Sequence, residues 1–299
     1  MGYVIATANM KGGVGKTTLS VNIATCLAKE HGKRVLVLDL DSQISATLSL
    51  MSPMEFAKRR KNRKTLRYLI DQIINPEPEQ KHTIQDIIIS QVCNLPGLNL
   101  LPGDIDLYDE FVVSEMLHQQ AVTLGEKDFE TIWNRFERVL LGKLLEPVRE
   151  EYDFIILDCA PGYNLLTRSA LATSNFYILP AKPEPLSLVG IQLLERRIAQ
   201  LKESHEHEAK IDIQMLGIVF TMSNANLLTG RYYKQVMQRV HQDFGAEKIC
   251  QTQIPVDVNV AKAVDSFMPV ILNAPQSSGS KAFSQLTQEL VQKLRIYTT

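Results

Sequence analysis

The chain has 299 residues, 45% hydrophobic and 22% charged, with 15 glycines and 13 prolines, which excludes a disordered, collagen-like or disulfide-stapled protein. No stretch approaches the ~18 consecutive apolar residues of a membrane-spanning helix, and the opening Met1-Gly2-Tyr3-Val4 lacks the flanks of a secretory signal, so the protein is expected in the cytoplasm. The net charge of −1 is uneven: Lys58 to Arg67 hold seven basic side chains and no acid, leaving −8 for the rest of the chain.

Residues 3–9 form a short apolar run that leads into the glycine-rich Lys11-Gly12-Gly13-Val14-Gly15-Lys16-Thr17-Thr18. From Thr17 to Lys29, Leu19, Ile23 and Leu27 recur at helical spacing, and Gly32 is free to adopt the positive φ that ends a helix. Residues 34–40 are a continuous hydrophobic run, the mark of a strand buried on both faces of a parallel sheet. The section 51–97, with a Pro-Glu-Pro turn at 76–78, is the least regular and predicts an excursion from the sheet. Further strands are predicted at 98–103, 154–160, 176–181, 213–222 and 248–255, and helices over 186–203, 231–244 and 282–296. Strands alternating with helices along the whole length predict one α/β domain over 1–299: a single doubly wound, mostly parallel sheet with helices on both faces.

The four cysteines are widely spaced and form no C-x-x-C pair, so they read as small buried hydrophobes rather than metal ligands. The two histidines in 202–210 read as part of a charged, solvated loop.

The strongest signal is the strand–loop–helix at 3–29. Glycines at 12, 13 and 15 let successive backbone N–H groups turn inward around a phosphate, and the following helix adds the positive end of its dipole. Lys16 would reach the β/γ-phosphates, and the Thr17 hydroxyl would join a Mg²⁺ site. The spacing departs from the general P-loop, and a second lysine, Lys11, stands at the loop's mouth.

These residues resemble the deviant Walker A loop of the ParA/MinD family of ATPases. LDLDSQ (38–43) resembles the family's second motif and FIILDCAPG (154–162) its Walker B strand and switch; segments at 100–107, 145–153, 165–171 and 268–283 also resemble ParA proteins. The resemblance covers nearly the whole chain. It implies ATP and Mg²⁺ bound by Lys11, Gly12, Gly13, Val14, Gly15, Lys16, Thr17 and Thr18, and an ATP-sandwich homodimer in which Lys11 crosses to the other subunit's nucleotide. It gives Asp41 the catalytic role of orienting the attacking water. Asp158 ends an apolar strand; alone it could be a turn residue, but beside a P-loop it reads as the carboxylate that holds Mg²⁺, with Asp39 a second choice for the metal or the switch. Ser42 and Ala160 stand where the family usually has proline. Met222, Pro255 and Val256 correspond to segments near the adenine, or are ordinary connections.

ParA-type proteins bind non-specific DNA through late basic residues, but here 254–264 holds Asn259 and Lys262 and no arginine. Arg231, Lys234 and Arg239 on the preceding helix are one replacement. Lys58, Arg59, Arg60 and Lys61 are another, or else a solvated loop. The resemblance implies a ParB-like or adaptor protein that stimulates hydrolysis, nucleoid association, and a plasmid or chromosome as cargo. A protein compartment such as the carboxysome is the alternative cargo. A MinD-like membrane protein would need an amphipathic tail, for which Tyr297-Thr298-Thr299 leave no room, and a P-loop metabolic synthetase would not need Lys11.

Overall fold

The computed structural model describes residues 2–75, 82–125, 128–206, 210–223 and 230–298; the turn expected at 76–78, residues 207–209 of the expected loop at 202–210 and the residues just after Ser223 lie outside them, while His205 of that expected loop is buried against the Leu201 and Asn134 carbonyls. Among the described residues seven strands form one sheet: β1 (Tyr3–Thr7), β2 (Val35–Leu40), β3 (Leu98–Leu101), β4 (Phe154–Cys159), β5 (Phe176–Ala181), β6 (Gln214–Ser223) and β7 (Ile254–Pro255). Their spatial order is β3-β2-β4-β1-β5-β6-β7, and every ladder is parallel.

The helices are α1 (Lys16–His31), α2 (Ser45–Leu48), α3 (Pro53–Lys61), α4 (Leu66–Ile74), α5 (Ile84–Ile87), α6 (Glu110–Leu124), α7 (Phe129–Leu145), α8 (Leu165–Thr173), α9 (Pro185–Ser204), α10 (Gly230–Phe244), α11 (Val258–Asp265), α12 (Val270–Asn273) and α13 (Ser278–Thr298). Side chains of a strand alternate between the two faces of a sheet, so each strand feeds two cores. Val35 and Val37 of β2 pack with Leu19, Ile23 and Leu27 of α1 and Phe283 and Leu286 of α13. Leu36 and Leu38 belong to the opposite core, with Ile70 of α4, Leu140 of α7 and Ala170 of α8. Burial on both sides is why the strands read as unbroken apolar runs. Gly32, at φ 61°, closes α1 with its N–H on the Leu27 carbonyl.

Two expectations need correction. The strand predicted over 248–255 is reduced to Ile254–Pro255 and a single bridge between Ile249 and Ile218. Between them the backbone N–H groups of Gln251 and Thr252 donate to the Glu289 carboxylate of α13, at 2.7 and 2.9 Å, so they are lost to the ladder. The section 51–97 is also more ordered than its composition suggested. It carries α3, α4 and α5, and Leu66, Leu69, Ile70 and Ile74, spaced to share one helix face, are buried in the main core.

Candidate functional site

The parallel strands all end on one side of the sheet, and the loops leaving β1, β2 and β4 meet there. The loop after β1 turns through Gly13 (φ 68°) and Gly15 (φ 86°), conformations that a side chain would strain. Gly15 is also the residue before α1, and no side chain caps that helix. The first N–H groups of a 16-residue helix therefore point out of the loop without a side-chain acceptor, the arrangement that receives an anion.

Lys16 is buried, and its ammonium donates to the Lys11 carbonyl at 3.1 Å. Burial lowers its pKa, against the pull of Asp158, Cys159 and Asp41. Behind it stands Asp158 at the end of β4, fully buried. Thr17 Oγ1 donates to one of its oxygens at 2.7 Å and Ser20 Oγ to the other at 2.8 Å. The sequence reading missed Ser20, although it lies one helical turn beyond Thr17 and so shares its face.

Asp39 and Asp158 are direct partners across the β2–β4 ladder, both fully buried. Burial pushes Asp158 up to about 7, helped by the charge of Asp39 and opposed by the Thr17 and Ser20 hydroxyls. Burial likewise pushes Asp39 up to about 6, against hydrogen bonds from Thr47 and from the Asp41 backbone. Asp39 uses its oxygens to order the segment after β2: one accepts from Thr47 N at 2.7 Å, the other from Asp41 N at 3.2 Å. Thr47, which the sequence reading also missed, accepts from Gly103 N at 2.9 Å and so ties this segment to the end of β3. Asp41 sits at the edge of the site, its carboxylate accepting from Gln43 N at 3.0 Å.

Lys11 lies on the rim. Its N–H is fixed by Asn9 Oδ1 at 2.9 Å, and Asn9 is anchored on the Pro180 carbonyl at 2.7 Å. Its ammonium pairs with Glu184, the residue before α9, at 2.9 Å. Gly12 lies against Pro161, just past Ala160. Val14 is buried, and Thr221 of β6 donates to its carbonyl at 2.8 Å, bringing the end of β6 onto the loop. Met222 (φ 52°) follows, 42% exposed, while Pro255 pairs with Ser223 and Val256 is 54% exposed. These three lie at the ends of β6 and β7, and among the described residues none makes a side-chain hydrogen bond to the loop after β1.

The basic residues are divided. Arg59 pairs with Glu55, and Arg60 with Asp104 and Asp106, whereas Lys58 and Lys61 are exposed. Lys234 and Arg239 on α10 and Lys262 on α11 are exposed too; Arg231 opens α10, and its side chain lies outside the described residues. Among the described residues no cluster of His, Cys, Asp and Glu has the make-up of a self-contained metal site, and no helix is long and apolar enough to cross a membrane.

The AAA domain family matches residues 2–213. The sporulation initiation inhibitor protein Soj of Bacillus subtilis is 31% identical, over 97% of this chain and 98% of its own. The chromosome partitioning protein ParA of Caulobacter vibrioides is 30% identical over 98% and 95%. Among solved structures, cobyrinic acid a,c-diamide synthase from Mycobacterium smegmatis, with a bound ATP analogue and magnesium, superposes with a TM-score of 0.72 at 22% identity, over 98% of this chain and 96% of that one. That likeness establishes the P-loop NTPase fold. With the deviant phosphate loop and near-full-length kinship to Soj and ParA, the chain belongs to the ParA/MinD family of deviant Walker A ATPases, on its Soj/ParA side.

Proposed function

We propose that the chain is a Mg²⁺-dependent ATP hydrolase whose ATP-bound form is a homodimer that binds non-specific DNA and positions a plasmid or chromosome. A second protein stimulates hydrolysis and release. The observation that carries this reading is the stack Lys16, Thr17, Ser20 and Asp158 behind an uncapped helix N-terminus, with Lys11 on the rim.

The residues present suit both ligands. A buried ammonium held by a carbonyl, beside free helix N–H groups, matches a triphosphate. A threonine hydroxyl on a buried carboxylate matches a divalent cation that already holds phosphate oxygens. Mg²⁺ in such a site neutralises charge developing on the transferred phosphoryl group. The chain's own residues do the rest. The loop N–H groups and Lys16 hold the β- and γ-phosphates, Thr17 and Asp158 orient the cation's ligands, and Asp41 aligns a water for in-line attack. Lys11 reaches toward the nucleotide of the second subunit. The kinship with a chromosome partitioning protein supports the role in positioning; a metabolic synthetase would leave Lys11 without a task.

For the DNA surface, Lys234, Arg239 and Lys262 have the better claim, because Arg59 and Arg60 are occupied by carboxylates. The test is ATP turnover with and without Mg²⁺ and random-sequence duplex DNA, in the wild type and Lys16→Ala. Turnover that requires Mg²⁺ and vanishes in the variant is the expected result. Turnover that persists in Lys16→Ala, or DNA binding indifferent to ATP, would overturn the reading.

A further inference from the structure

A cleft of about 1650 Å³ lies between the α3–α4 unit and the loop 104–110 that leads into α6. No residue of the phosphate loop lines it, and Leu40, Ser42 and Ala160 are among its walls. It exceeds the roughly 300–1,000 Å³ of small-molecule pockets, so its size suits a length of polypeptide.

Its charges are sorted. Arg60 is held by Asp104 at 2.9 Å and Asp106 at 2.6 Å, and Arg67 by Asp106 at 3.2 Å and Asp71 at 3.3 Å, so these residues largely neutralise one another. Four charges lining the cleft stand outside these pairs: Lys61 at the end of α3, Arg63 just past it and near enough to Asp71 to oppose the rise of its pKa, and Asp109 and Glu110 at the head of α6. None has an ion-pair partner among the described residues. The Asp109 carboxylate accepts from the N–H groups of Phe111 and Val112 at the head of α6. In the loop between the two walls Ile105 is 49% exposed, and Phe111, next to Glu110, is 76% exposed. A large side chain left in water beside a concave surface marks a place for a protein partner. Duplex DNA is a poor occupant, because the five carboxylates lining the cleft outnumber its four cations, Arg60, Lys61, Arg63 and Arg67.

We propose that this cleft is the docking site for an extended segment of a second protein. That segment carries an acidic side chain for Lys61 and Arg63, an apolar one for Ile105, and a basic one for Asp109 and Glu110. Ser42 follows Asp41 directly, and Ala160 is two residues past Asp158. A seated segment therefore bears on the backbone that presents both carboxylates. This link to the nucleotide rests on the function proposed above; the docking does not.

The experiment is selection of a phage library of random dodecapeptides on the full-length chain, followed by fluorescence anisotropy with the enriched peptides. Expected are peptides with acidic, apolar and basic residues in that order. Lys61→Glu/Arg63→Glu should weaken them roughly tenfold or more, as loss of paired charge at an interface does, and exchanging the peptide's acid for lysine should restore binding to that variant. Ile105→Asp, also exposed, should weaken the same peptides. Absence of enrichment over the bare support, or peptides indifferent to all these variants, would overturn the proposal. So would loss of duplex-DNA binding in the charge-reversed variant with peptide binding unchanged, which would hand the cations to DNA. ATP binding, measured in parallel on the same variants, fails only if the nucleotide reading is wrong or the fold is lost.

Discussion

Lys11 Nζ lies 2.9 Å from Glu184 Oε2, so the cation at the mouth of the phosphate loop is paired within its own chain. Both side chains are partly exposed, at 35% and 42%, and exposed pairs contribute only about 0–1 kcal/mol. The pair holds the lysine in place at little cost to its release. Glu184→Gln is expected to leave Tm almost unchanged and to let the ATP-bound dimer form at lower protein concentration in sedimentation velocity. Lys11→Ala should reduce dimer-dependent hydrolysis by roughly tenfold or more, the scale of losing a charge-stabilising group, while ATP affinity stays close to wild type. A dimer unaffected by Lys11→Ala would remove its cross-subunit role.

The Asp41 carboxylate hydrogen-bonds locally, to Gln43 N, and acts on Lys16 only through its charge, so truncating it is expected to leave the phosphate loop in place. Asp41→Ala should bind ATP normally, stop turning it over, and accumulate as a dimer on size-exclusion chromatography. Normal turnover would mean that another group orients the water.

Lys16 distinguishes function from stability. Its buried ammonium has lowered proton affinity, so burial disfavours its charge in the ligand-free fold by more than Asp158 and Asp41 favour it. Lys16→Met should lose ATP affinity by roughly a hundredfold, about 2.7 kcal/mol, yet melt at or above the wild-type temperature without nucleotide. A large drop in that Tm would show that the lysine is structural.

The carboxylate pair makes stability depend on pH. Asp158 and Asp39 have folded-state pKa values raised to about 7 and about 6, so the folded chain binds more protons than the unfolded one between about pH 4 and 7. Their contribution is fully present below the unfolded carboxylate pKa and is lost as pH rises through the folded values. Without Mg²⁺ and nucleotide, Tm should fall between about pH 5 and pH 8, and Asp39→Asn should flatten that fall. Differential scanning calorimetry across the range is the check; a Tm that rises with pH in step with these two groups would contradict the assignment.

Charge removal maps the DNA surface. Every cation withdrawn from a phosphate reduces the slope of log K against log salt by about 0.9. Lys234→Ala/Arg239→Ala/Lys262→Ala should therefore weaken binding to random duplex and flatten its salt dependence. Lys58→Ala alone should change it little. The opposite pattern would return the DNA surface to α3.

The fold was legible wherever a strand is buried on both faces. β2, β4 and β5 are unbroken apolar runs because their alternate side chains enter two different cores. The stretch before β7 was not, because the fate of the Gln251 and Thr252 N–H groups is decided by Glu289, more than thirty residues away. At the site, glycine spacing pointed to the phosphate loop, and Asp158 was singled out from its place at the end of an apolar run. Ser20 and Thr47 escaped notice because a hydroxyl carries no signal until its acceptor is known. The pairing within the basic run 58–67 was hidden for a related reason. Sequence counts its charges, but only the fold brings Asp104 and Asp106 onto Arg60.

The strand order has a consequence for how the chain is made. β1 and β2 follow one another in sequence yet never pair; β4, more than a hundred residues later, fills the space between them. A nascent chain that has emerged only as far as β3 holds the glycine loop and β2 but lacks the strand that joins them, and long-range pairing of this kind is slow to form. Asp158 arrives on that same strand. The phosphate loop and the carboxylate behind it therefore cannot come together before β4 is made, at the midpoint of the chain.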